Sequence, residues 1–196
     1  MIRALVPAAL LIFATAACGS LAPPTAPADA EMLTRSGCGV ERWAVKTGSD
    51  PDVGLINTTP KAATIAALTA LPAPKALPPA HRIAPVETTT YIVHAVLTGF
   101  KLEGDSDYHL VIADGAATMI AELASPTCVT PDPLKAQIIA ARKQFDARYH
   151  PGLQFQHVSV PVTITGVGFW DYPHGQTGVS PNAIEIHPVT SIAFGK

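Results

Sequence analysis

The chain has 196 residues, of which 48% are hydrophobic and 14% charged, and its formal net charge is -2. An ordinary globular chain carries roughly 25% charged residues, so charge repulsion does not hold this one open as a disordered coil. The near balance of 13 basic and 15 acidic side chains excludes a protein whose main business is coating nucleic acid.

The chain begins with a short basic segment, Met1-Ile2-Arg3, followed by an apolar run from Ala4 to Ala17 broken only at Thr15. This run is too short to cross a bilayer comfortably and fits the hydrophobic core of a signal peptide. It ends at Thr15-Ala16-Ala17-Cys18-Gly19. Small residues before a cysteine resemble the lipobox of bacterial lipoproteins, which makes Cys18 the candidate for lipidation and the mature N-terminus. Thr15 departs from that pattern, where leucine is usual. Ordinary cleavage after Ala14-Thr15-Ala16 or Ala28-Asp29-Ala30 is the alternative, and an uncleaved anchor is a third. All three export the domain. The expected location is the cell envelope, facing the periplasm or the surface, or the medium if Cys18 is not lipidated. Residues 1–17 are then the signal peptide and 18–36 a tether, whose Pro23, Pro24 and Pro27 lie among small residues. Residues 37–86 form an N-terminal extension, and 87–196 the main domain.

The three cysteines are Cys18, Cys38 and Cys128. With lipid on Cys18, the other two are an even pair in an oxidising compartment, so a Cys38–Cys128 disulfide is expected. Two buried thiols are the plain alternative. Neither cysteine has the C-x-x-C partner of a zinc site.

Residues 38–46 read as a short strand, 47–52 as a turn, and 62–71 as a short helix. Pro72, Pro74, Pro78, Pro79 and Pro85 enforce an irregular crossing. From 88 to 101 the residues alternate, with Tyr91, Val93, Ala95 and Leu97 on one face and Ile92, His94, Val96 and Thr98 on the other. A turn at 104–107 leads to a strand at 108–113. Asp114-Gly115 is a hairpin signal before a strand at 118–123. Asp132 and Pro133 open a helix as cap and first residue. Its apolar stripe is Leu134, Ile138, Ala141, Phe145 and Tyr149. Strands follow at 158–169, weakened at Pro161, and 183–194, interrupted at Pro188.

This order predicts a mostly β (α+β) protein. Five strands with one helix between the third and fourth is the order of an OB-like barrel, with the N-terminal extension packed on it. An open antiparallel sheet under one helix is the alternative.

Three clusters carry candidate chemistry. Glu103, Asp105, Asp107 and His109 lie where one strand turns into the next. Asp107 and His109 share a strand face, about 7 Å apart, and could reach one divalent ion. They also suit a plain turn and a surface histidine. The second cluster surrounds Asp171 with Phe169, Trp170 and Tyr172, then runs through His174 and Gln176 between glycines. Such a loop can stack aromatics on a ligand or simply close the barrel. In the third, Glu185 and His187 point away from Ile184 and Ile186, and the carboxylate can tune the imidazole.

The segments 38–47, 101–111 and 174–189, which contain CGVERW, LEGDSDYHLV and HGQTGVSPNAIEIHPV, resemble a family of exported bacterial proteins over about residues 37–195. The resemblance implies a common fold, including the Cys38 segment, and brings no catalytic residue.

The first functional reading is therefore a non-catalytic binding or interaction module of the envelope. Its candidate ligand face is Tyr108, His109, Trp170, Asp171, His174 and Gln176. Its partners are the membrane, through the lipid anchor, and an envelope ligand or protein. No cofactor is implied. The alternative is a metal-dependent hydrolase of phosphodiesterase or nuclease type. There Asp107, His109, Asp171, His174 and His187 hold a divalent ion that activates water, and Glu185 is the general base. A purely structural envelope lipoprotein is the third reading.

Overall fold

A computed structural model describes residues 37–39, 41–129 and 133–195. The signal segment, Cys18, the tether and the Asp132 cap lie outside the described residues.

The elements are α1 (Trp43–Thr47), β1 (Asn57–Ala63), α2 (Ile65–Thr69), β2 (Thr89–Leu102), β3 (Tyr108–Asp114), β4 (Ala117–Leu123), α3 (Lys135–Asp146), β5 (Gln156–Trp170) and β6 (Ile184–Phe194). The six strands form one mixed sheet in the order β1-β2-β3-β4-β6-β5, and a β2–β5 pairing closes five of them into a ring. Within the ring β4 and β6 run parallel and the other neighbours antiparallel. β1 joins from outside, parallel to β2. The protein is thus mostly β and OB-like in strand order.

Alternation builds the ring. Tyr91, Val93 and Leu97 of β2 are buried, while His94 between them is exposed. Leu110 and Ile112 of β3, Met119, Ala121 and Leu123 of β4, and Ile184 and Ile186 of β6 join them in one core. The β3–β4 hairpin closes at Asp114 and Ala117, with Gly115 at a φ of 59°, a value a non-glycine residue rarely adopts. β2 serves two neighbours because it is long and bends at a bulge between Leu97 and Gly99. β5 runs through Pro161, whose side chain is exposed. β6 runs through Pro188, where the β5–β6 ladder shifts register and no bond from a proline nitrogen is required.

α3 covers one end of the ring. Phe145 meets Phe100 edge-on at 5.2 Å, Tyr108 at 5.6 Å and Phe194 at 5.9 Å between ring centres. These three come from the end of β2, the start of β3 and the end of β6. Arg142 donates to the carbonyls of Leu123 and Ser106, which fixes the helix to the ring.

Two N-terminal expectations need correction. Residues 38–46 are not a strand. A bend leads into α1, a single helical turn between two residues in the left-handed region, Arg42 (φ 50°) and Gly48 (φ 76°). The helix within 62–71 is shorter than expected because residues 57–63 pair with β2 as β1. Thr64 then caps α2 by accepting the Ala67 N–H at 3.1 Å.

Ion pairs and a disulfide fasten the extension. Cys38 and Cys128 are bonded, with Cα atoms 5.7 Å apart and a sequence separation of 90. A loop of that length corresponds to roughly 4–5 kcal/mol of unfolded-state entropy. Arg42 binds both oxygens of Glu87, at 2.6 and 2.9 Å, and also the carbonyls of Pro78, His81 and Trp170. Arg82 binds both oxygens of Asp50. Among the described residues, no helix is long and apolar enough to cross a membrane.

Candidate functional site

Two regions combine concave or buried shape with chemistry, and both lie where the extension meets the ring.

The first is the outer face of β3, β4 and β6. The strand pleat sends Leu110, Ala121, Leu123, Ile184 and Ile186 to the core and His109, Glu122, Glu185 and His187 to the opposite face. A face of this composition normally meets water. Here it is covered, and all four residues are buried, as are Asp105, Asp107 and Asp171. Part of the cover is α1. Lys46 Nζ stands 4.0 Å from Asp171 and 5.8 Å from the Phe169 ring centre, and the Arg42 guanidinium lies 4.9 Å from the same ring. The 171–180 loop is the other part. Thr177 offers its carbonyl to His109 Nε2 at 2.8 Å. Gly178, at a φ of 86°, rests against Val111, where a Cβ would fall 2.5 Å from a Val111 methyl.

Under this roof runs a chain of alternating charges. His109 Nδ1 lies 3.3 Å from Glu103 Oε1 and 3.5 Å from Glu122 Oε1. Glu122 Oε2 lies 3.0 Å from His187 Nδ1, and His187 Nε2 lies 3.5 Å from Asp107 Oδ2. Asp107 also accepts the Ser125 N–H at 2.6 Å, and Lys101 Nζ lies 3.4 Å from Glu103.

Burial raises Asp107 to about 6 and Glu185 well above the usual carboxylate range, with Asp171 and Glu122 adding repulsion at Glu185. Burial works against charge on the histidines too. The flanking carboxylates outweigh it, lifting His109 to about 10 through Glu103 and Glu122, and His187 to about 10 through Glu122 and Asp107. Burial also opposes charge on Glu122, yet His187 and His109 hold it well below its ordinary value.

The structure brings together part of each residue set read from the sequence. Asp107, His109 and His187 meet around Glu122. Among the described residues, two triads have ligand atoms close enough for one ion, Glu103–His109–Glu122 and Asp107–Glu122–His187. Neither includes Asp171 or His174. His174 turns instead to Glu41, 2.9 Å away, and its backbone N–H goes to Gln176. Trp170, placed on the candidate ligand face, is 3% exposed. Tyr108 donates its hydroxyl to Asp146 at 2.9 Å, on the α3 side. Tyr108, His109, Trp170, Asp171, His174 and Gln176 therefore do not form one open face.

Glu122 is the residue that sequence reasoning missed, although a signal was present. Counting back from the Asp114–Ala117 closing pair sets His109 opposite Glu122.

The second region is a groove of about 510 Å³ at the ring end opposite Phe145. β1, α2 and the proline crossing wall it, and Ala62, Leu68, Leu71, Ile83, Tyr91 and Trp170 line it. Among the described residues, Lys61 is its only charged lining residue. Trp170 is held from behind, because its N–H goes to Glu87 and its carbonyl accepts from Arg42. A second, smaller groove, which includes Asp171 and Pro173, shares Trp170 and Pro74 with it.

No protein-family model matches the chain, and no curated protein matches it. Among solved structures, a chain described as an aspartyl-tRNA synthetase from Leishmania major Friedlin is similar over 70% of this chain, at 16% identity and a TM-score of 0.40. The similar region spans 21% of that chain. A likeness this distant carries no argument about activity.

Proposed function

We propose that the protein is an exported, non-catalytic binding module, tethered through lipid on Cys18, whose OB-like barrel presents an apolar groove to an amphiphilic envelope ligand. The groove carries this reading. Its volume of about 510 Å³ lies within the range of small-molecule sites, roughly 300–1,000 Å³. Among the described residues its lining is mainly apolar, with Lys61 at β1 as the one charge, so the matching ligand has a hydrocarbon body and a single acidic head. The signal segment and the resemblance to exported bacterial proteins support the location. Loss of radiolabelled palmitate from a Cys18→Ser chain tests the anchor, and unchanged labelling would remove it.

The hydrolase reading has less support. A catalytic ion must keep a position open to substrate, whereas Asp107, His109 and His187 have no exposed surface.

Dodecanoate is the probe for the groove. The chain has two tryptophans, so a Trp43→Phe background leaves Trp170 as the reporter. Saturable change of Trp170 emission is expected, with affinity lowered about tenfold or more by Ala67→Phe, which fills the groove. Lys61→Ala should weaken dodecanoate and leave dodecanol unchanged. Absence of saturation, or equal affinity in the Ala67→Phe chain, would reject the reading.

A further inference from the structure

The covered face of β3, β4 and β6 holds buried polar atoms that have charged neighbours but no well-aligned hydrogen bond: Asp107 Oδ2, His109 Nδ1, Glu122 Oε2 and both ring nitrogens of His187. Such atoms normally find a partner, and each exception calls for a physical reason. His109 is the most informative. Its Nε2 faces the Thr177 carbonyl at 2.8 Å. A carbonyl only accepts, so Nε2 carries a proton, and Nδ1 is the ring atom that can offer a lone pair when an incoming cation displaces its proton. Nδ1 stands between two carboxylates, with Glu103 Oε1 at 3.3 Å and Glu122 Oε1 at 3.5 Å.

Those separations have a second meaning. Tetrahedral zinc binds histidine nitrogen and carboxylate oxygen at about 2.0–2.2 Å, which sets neighbouring ligand atoms roughly 3.3–3.6 Å apart. Both distances from His109 Nδ1 fall in that window. They are long for charge-assisted hydrogen bonds, which cluster near 2.7–2.9 Å.

We infer that Glu103, His109 and Glu122 form a binding site for a first-row divalent metal ion of the zinc class, held by His109 Nδ1 and one oxygen from each carboxylate. The surroundings fit that role. Ligating histidines almost always donate their other N–H to a carbonyl or carboxylate, as His109 does to Thr177. The second oxygen of Glu122 is engaged by His187 Nδ1 at 3.0 Å, which orients the carboxylate. Glu103 keeps a 9% exposed side chain and supplies an entry path. Lys101 lies 3.4 Å from the same Glu103 oxygen and competes for it, so the ion must displace that contact. The neighbouring triad, Asp107–Glu122–His187, is less suited. Each of its imidazole nitrogens has its own carboxylate to donate to, and all three residues are sealed. With Thr177 tied to His109, the ion fastens the 171–180 loop to the ring. The site is structural and does not depend on what occupies the apolar groove.

The test uses the full processed chain, stripped with a chelator and dialysed against micromolar zinc, with metal content measured by mass spectrometry. About one zinc per chain is expected, and cobalt in its place should give the visible spectrum of a tetrahedral site. His109→Gln and Glu103→Gln should each weaken zinc binding by about 100-fold or more, since even outer-shell changes cost 10–100-fold. His94→Gln, on the exposed face of β2, should bind as the unchanged chain does. If circular dichroism shows that His109→Gln fails to fold, Glu103→Gln, whose side chain reaches the surface, decides alone. The proposal is overturned if the folded chain takes up no zinc, if uptake survives Glu103→Gln, or if only His187→Gln abolishes it.

Discussion

The covered face of β3–β4–β6 and the apolar groove are opposites built by the same segment. The face is crowded with carboxylates and imidazoles and has no opening onto His109, Asp107 or His187. The groove is open and, among the described residues, carries one charge, Lys61. In both places residues 37–86 supply a wall, through α1 over the face and through β1, α2 and the proline crossing around the groove. The five-strand ring alone would present a wet polar face and an unfilled apolar end. The extension converts the first into a buried electrostatic network and the second into a concave site. It thus determines the chemistry of the ring as well as its stability.

The largest expected effect comes from cutting the link that serves both regions. Arg42 neutralises Glu87, and Glu87 in turn receives the backbone N–H groups of Trp170 and Ile83. Arg42→Ala leaves a fully buried carboxylate unpaired, and removing one partner of such a pair costs about 3–5 kcal/mol. Urea unfolding of the oxidised chain measures this directly. The Trp170 backbone would lose its support, so dodecanoate binding should weaken in the same variant. A loss below about 1 kcal/mol would mean that the extension is only loosely held. The groove and the covered face would then have to be explained separately.

How much of this was legible in the sequence follows the range of the forces involved. β2, the β3–β4 hairpin and α3 declare themselves because their signals are local: alternation, Asp114-Gly115, and a stripe ending in Phe145 and Tyr149. The Cys38–Cys128 pair was legible by counting. β1 was not, because nearly all of it is exposed at the sheet edge and Pro60 lies within it, so no alternation marks it. α1 was hidden because one helical turn has no periodicity, and Arg42 enters it from a left-handed backbone. The alternation of Ile184 and Ile186 with Glu185 and His187 does show that the latter two face away from the core. That this direction leads into a covered space depends on α1 and the 171–180 loop, which sequence pattern does not place. For Trp170 the sequence leaves ligand stacking and barrel closure both open, because its neighbours Asp171, Pro173 and His174 suggest a loop. Its burial depends on Glu87, 83 residues earlier.

The smallest expected effect tests where the covered face ends. His174 and His187 have similar local sequence surroundings, each followed by a residue that bends or stiffens the chain. His187 is sealed between Glu122 and Asp107, whereas His174 pairs with Glu41 at the rim, with side chains 34% and 25% exposed. Solvent screens such a pair, and exposed pairs contribute roughly 0.2–1 kcal/mol. His174→Gln should therefore cost no more than about 1 kcal/mol in urea unfolding and leave zinc content unchanged. His187→Gln should be far more damaging, because it leaves Glu122 and Asp107 facing each other without the cation between them. If the two substitutions cost the same, or if His174→Gln releases zinc, the boundary between rim and interior is wrong. His174 would then belong to the buried network, and the original grouping of His109, His174 and His187 around one ion would regain its ground.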